Sequence, residues 1–70
     1  MNNDMNKAKD FILDYIRASG PVSFDTCLSQ LQAYYNEKAD AVDLSNILTE
    51  LIRARSVELY DDGKTFILSQ

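Results

Sequence analysis

Along the first third of the chain, apolar residues fall at Met5, Ala8, Ile12 and Ile16, with Phe11 and Tyr15 flanking them. This is the three-and-four spacing of an amphipathic helix and predicts one over about 6–18, with residues 1–5 frayed ahead of it. Lys7, Asp10, Asp14 and Arg17 take the opposite face. Ser19-Gly20-Pro21 ends the run, because Gly20 accepts the left-handed C-terminal conformation and Pro21 cannot continue a helix. Val22 is then a short extended link. Ser23 is placed to cap a second helix, with Asp25 in its first turn. Phe24, Leu28, Leu31 and Tyr35 form the stripe of that helix, and Cys27 and Tyr34 share one flank. The helix is expected to end near Tyr35 or Asn36, before a polar connection over 36–41.

A third helix is expected from Asp43 as N-cap. Val42 and Ile47 then take the spacing of a hydrophobic staple, with Leu44, Leu48, Leu51 and Ile52 in the stripe. Its end is expected near Arg55 or Ser56. Beyond it the period changes from 3.6 to 2. Val57-Glu58-Leu59-Tyr60 and Thr65-Phe66-Ile67-Leu68 flank Asp61-Asp62-Gly63-Lys64, and Asp-Gly favours a two-residue type I′ turn. That turn fixes the register: Asp61 faces Lys64, Tyr60 faces Thr65, Leu59 faces Phe66, Glu58 faces Ile67 and Val57 faces Leu68. The predicted core is Ile12, Ile16, Leu28, Leu31, Leu48, Leu51, Leu59 and Phe66. Tyr60 and Ile67 are turned to the outer face of the hairpin as diagonal neighbours.

Seventy residues, 46% hydrophobic and 26% charged, suit one globular domain over 1–70 and leave no room for a second. Chemistry is sparse. There is no histidine and one cysteine, Cys27, so an intrachain disulfide is impossible and a structural zinc site has too few ligands. Without histidine the usual general base near neutral pH is missing, and the chain is expected to be no enzyme, with no catalytic or metal-binding residue, cofactor or small-molecule substrate. Cys27 reads as a small buried hydrophobe. No secretory-type apolar segment and no membrane-length apolar run occurs, so a cytoplasmic protein without membrane contact is expected. Eleven acids against seven bases give a formal charge of −4. That is the wrong sign for a protein occupied chiefly with phosphates.

Helix, short link, helix, turn, helix and C-terminal hairpin resembles the winged-helix family, a helix-turn-helix variant whose wing is a β-hairpin. The resemblance spans nearly the whole chain. Its most specific stretch is Val42-Asp43-Leu44-Ser45-Asn46-Ile47-Leu48-Thr49-Glu50-Leu51-Ile52-Arg53-Ala54-Arg55-Ser56-Val57-Glu58-Leu59, which looks like the third helix running into the first wing strand. Many members place glycine between helix and strand, where this chain has Ser56. The resemblance implies an α+β fold: a three-helix winged helix-turn-helix with a C-terminal two-stranded β-hairpin wing. It also implies a DNA-binding surface on the third helix and wing, here Ser45, Asn46, Thr49, Arg53 and Lys64.

Charge argues against that carry-over. Asp40, Asp43 and Glu50 lie on or near the third-helix surface, and Asp61 and Asp62 accompany Lys64 on the wing. Asp43 reads better as a cap than as a functional carboxylate, and Glu50 and Arg53, three apart, as a weak surface ion pair. The preferred reading is a small acidic regulatory module acting through protein contacts, with a protein partner or as a homodimer, and with Tyr34, Tyr60 and Ile67 as interface candidates. The alternative is a DNA-binding transcriptional regulator. A third reading, a phage-type inhibitor that mimics DNA, asks for more charge than −4.

Overall fold

The computed structural model describes residues 3–35, 37–60 and 62–69, with side chains from residue 6 onward. Helix α1 (Asn3–Ser19) begins three residues before the predicted start at about 6, so residues 3–5 are helical where fraying was expected. The polar Asn3-Asp4 start suits a first helical turn even though it adds nothing to the period. Met5 has its side chain outside the described part. Gly20 closes α1 as expected, with φ 80° and its amide donating to the Ile16 carbonyl at 2.9 Å.

Val22 is more than a link. Val22–Ser23 forms strand β1, and β1 pairs antiparallel with β3 (Thr65–Leu68), Val22 opposite Phe66 and Ser23 opposite Thr65. The sheet therefore has three strands in the order β1-β3-β2, with β2 at Val57–Leu59, instead of the two expected. A two-residue strand is too short to show a period, and its partners lie 42 to 44 residues downstream in sequence.

Ser23 caps α2 (Phe24–Tyr34) as predicted: its backbone is extended and its hydroxyl oxygen accepts the Thr26 amide at 3.2 Å. The buried line of α2 runs through Cys27 and Leu31, while Phe24, Leu28 and Tyr35 are only partly buried. Cys27 thus moves from the flank to the centre of the stripe, and Leu28 from the core to its edge. Phe24 packs tilted against Phe66 with centroids 6.5 Å apart, and Phe11 stacks on Tyr35 at 6.1 Å. These pairs tie α1, α2 and the sheet into one core.

Helix α3 (Ala41–Arg53) starts earlier than the staple argument placed it, because Asp40 is the N-cap. The Asp40 carboxylate accepts the Asp43 amide, and the Asp43 carboxylate accepts the Asp40 amide, a reciprocal capping box. Val42 is consequently 66% exposed and no staple residue. With Asp40 as cap the staple positions become Ala39 and Leu44, and both are buried. The Gln32 side-chain amide donates to the Ala39 carbonyl at 2.7 Å and so holds the α2–α3 turn against α2. Leu44, Ile47, Leu48 and Leu51 are buried and face the other elements, while Ile52 is only partly covered. Burial of aliphatic side chains of this size stabilises by roughly 1.5–3 kcal/mol each relative to exposure.

The C-terminus of α3 is a Schellman motif built without glycine. The Ser56 amide donates to the Leu51 carbonyl at 2.9 Å and the Arg55 amide to the Ile52 carbonyl at 3.0 Å. The left-handed residue is Arg55, with φ 62°, so the position where glycine is favoured is 55 and not 56.

The hairpin register is the predicted one, Val57 opposite Leu68, Glu58 opposite Ile67 and Leu59 opposite Phe66, and the Tyr60 amide donates to the Thr65 carbonyl at 2.8 Å. The turn differs. Type I′ needs positive φ at both Asp62 and Gly63, and among the described residues of the connection only Gly63 has it. The Gly63 amide donates to the Tyr60 carbonyl, and the Asp62 carboxylate takes the amides of Lys64 and Thr65 and the Thr65 hydroxyl. An Asx-type side-chain closure has displaced the two-residue turn. The expected Asp61–Lys64 pairing lies outside the described residues. Val57 and Phe66 are buried, but Leu59, counted in the predicted core, stands 47% exposed.

Candidate interaction surface

Alternation along β2 and β3 sends Glu58, Tyr60 and Ile67 to the outer face of the wing. Together with Leu59 and Asp62 they line one open depression. Tyr60 is 45% exposed and Ile67 partly so, and the structure brings these two predicted interface residues together. Tyr34, the third, is 72% exposed at the end of α2 and lines no part of that depression. On the other side of β2 a second open depression lies against the end of α3, lined by Ile52, Arg55, Val57, Glu58, Leu59 and Ser69. Leu59 and Glu58 border both, so β2 is a ridge between two open depressions of mixed polar and apolar lining.

The chemistry of the wing is set by how its carboxylates are held. Asp62 is exposed, yet the Lys64 amide first, and then the Thr65 hydroxyl, hold its carboxyl below the ordinary carboxylate range, so it stays ionised. Glu58 accepts a hydrogen bond from the Ser69 hydroxyl at 2.9 Å, across the two ends of the hairpin. Each of the two acids that flank Tyr60 in sequence thus accepts a hydrogen bond from the chain itself.

The residues proposed for DNA contact are all exposed. Ser45, Asn46, Thr49 and Arg53 lie on the open side of α3, and Lys64 sits at the wing tip. The expected ion pair between Glu50 and Arg53 is not formed; the ion pair seen among the described residues joins Arg17 to Asp14 at 2.8 Å. At three-residue spacing in full solvent the attraction is only a few tenths of a kcal/mol, comparable to the side-chain entropy it must overcome. Asp40 and Asp43 have their carboxylates turned to the capping box. Three acids of the expected recognition surface, Asp40, Asp43 and Asp62, thus have a structural use in holding backbone amides.

Cys27 is buried, and desolvation pushes its thiol up to about 11, away from nucleophilic reactivity. Among the described residues no group of three metal-ligating side chains gathers, and no helix is long and apolar enough to cross a membrane. Sequence reasoning missed Ile52 and Leu59 as surface residues. Both satisfy an apolar period, and a period alone does not separate a covered position from an open one.

No protein-family model and no curated protein matches the chain. Its structure is similar to the winged-helix B domain of Cdc53 in the solved complex "A Dual E3 Mechanism for Rub1 Ligation to Cdc53: Dcn1(P)-Cdc53(WHB)", with a TM-score of 0.77. The match covers 97% of this chain and 81% of that one at 15% identity, a level at which the fold is what is shared. Three helices, an antiparallel three-stranded sheet and a C-terminal hairpin in this order give the chain a winged-helix fold.

Proposed function

We propose that this chain is a small regulatory winged-helix module that acts through protein–protein contact, with the wing as its contact surface. The observation that carries the reading is the exposed apolar ridge of the wing. Leu59 and Tyr60 each leave nearly half of their surface open, and Ile67 joins them in one depression. Large side chains gathered in this way, and not scattered singly, mark contact surfaces on proteins of this size. The similar Cdc53 domain was solved with Dcn1, which supports a protein-contact role for the fold. In this reading the module carries out no catalysis, needs no cofactor and works in the reducing cytoplasm, in keeping with a free buried Cys27.

The test is retention of a partner, or of a second copy, by surface variants. Wild type and Thr49→Ala are expected to retain it, and Tyr60→Ala with Ile67→Ala to lose it. Loss on Thr49→Ala and Arg53→Ala with the wing variant unaffected would reverse the assignment.

A second reading, DNA binding through α3, draws support from the solvent-facing Ser45, Asn46 and Thr49 and from Arg53, which forms no ion pair with Glu50. It ranks lower because Glu50 is exposed on the same helix and Asp62 stays ionised beside Lys64. A DNA-mimic role gains nothing from Asp40 and Asp43, whose carboxylates cap each other's amides.

A further inference from the structure

The outer depression of the wing combines an aromatic ring, aliphatic surface and carboxylates. Tyr60, Ile67 and Leu59 supply its apolar lining, and Glu58 and Asp62 its charge. We propose that this depression receives a basic–apolar segment of a partner protein, an arginine or lysine of that segment lying against the Tyr60 ring within reach of Glu58 and Asp62. The proposal rests on the reading of the chain as a protein-contact module and names the partner's chemistry.

Charge complementarity selects this occupant. The lining carries two carboxylates and an exposed tyrosine, and a cation over an aromatic face gains from the ring as well as from nearby negative charge. The carboxylates are already oriented, Glu58 by the Ser69 hydroxyl and Asp62 by two amides and the Thr65 hydroxyl, so binding orders little that is not ordered beforehand. A second copy fits less well. Each copy carries −4, and placing the same wing face against itself brings Glu58 and Asp62 of both copies together. Lys64, at the wing tip, and Arg55, on the far side of β2, are the cations nearest in sequence to this surface. Neither lines the depression itself.

The test is an amide-resolved NMR titration of the intact chain with two synthetic ten-residue peptides, one alternating leucine with arginine and one alternating leucine with glutamate. The arginine peptide is expected to shift the amides of Glu58, Tyr60 and Ile67 and to bind more weakly as salt rises. Glu58→Gln and Tyr60→Leu, both exposed substitutions that keep bulk, should each weaken binding roughly two- to fivefold. Equal binding of the glutamate peptide, shifts elsewhere on the chain, indifference to both variants, or no shift at millimolar peptide would each overturn it. Light scattering that shows a dimer broken by Tyr60→Ala would also overturn it, while leaving the protein-contact reading in place.

Discussion

Asp40 and Asp43 cap each other across the first turn of α3: the carboxylate of Asp40 takes the amide of Asp43 at 2.9 Å, and the carboxylate of Asp43 takes the amide of Asp40 at 3.2 Å. The two bonds are not equivalent. Asp40 satisfies an amide that the helix itself leaves unpaired, whereas Asp43 restrains the residue before the helix. Asp40→Ala is therefore expected to cost about 1 kcal/mol, and Asp43→Ala clearly less. Urea denaturation of the two variants checks the order. A larger loss for Asp43→Ala would place the cap at 43.

Arg55 holds a left-handed conformation that an L side chain with a Cβ adopts at a cost of roughly 1 kcal/mol. Arg55→Gly removes that cost and keeps both bonds of the Schellman motif, because they use backbone groups alone. The expected result is a stabilisation of about 0.5–1 kcal/mol, seen as a higher urea midpoint with an unchanged slope. The extra freedom of glycine in the unfolded chain subtracts from the gain and sets its upper limit.

Asp62 gives the wing a pH dependence of definite sign. Its carboxyl is held below the ordinary range by the Lys64 amide and the Thr65 hydroxyl, so its contribution is complete above the unfolded carboxylate value, about 3.9. That contribution is lost as pH falls through the lower folded value. Amide exchange at Lys64 and Thr65, corrected for intrinsic rates, is expected to show constant protection down to about pH 4 and falling protection below it. Asp62→Ala should lower protection above about pH 4, converge with the wild type once the carboxyl is protonated, and so remove this pH dependence.

Cys27 reports on global unfolding. Buried and with its thiol raised to about 11, it should react with a thiol reagent only when the core opens. Labelling at neutral pH is expected to follow the unfolding equilibrium. Ile12→Ala, a truncation at a fully buried site, should accelerate it strongly, because such cavities cost about 2–5 kcal/mol and a small domain has little more than that to lose. Rapid labelling of the folded wild type would contradict the burial.

What the sequence made legible follows from how local each feature is. The wing register could be read because alternation on both strands and the Asp-Gly connection agree. The turn type could not, since it depends on which amides the Asp62 side chain captures. Asp40-x-x-Asp43 was present as a capping pattern, but the Val42–Ile47 spacing offered a competing staple one turn later. Strand β1 escaped because two residues acquire an extended ladder only from a distant partner, Phe66 and Thr65. In the candidate surface, Tyr60 and Ile67 followed from alternation alone. Ile52 and Leu59 did not, because they fit the same apolar period as the buried positions and their exposure is set by tertiary packing.

The central claim is that the wing, and not the open side of α3, meets the partner. The direct measurement is photocrosslinking in cells of the source organism, with Tyr60→p-benzoylphenylalanine and Thr49→p-benzoylphenylalanine compared. A specific protein adduct from position 60, with no DNA adduct from position 49, is the result expected. A DNA adduct from position 49 and no protein adduct from position 60 would contradict it.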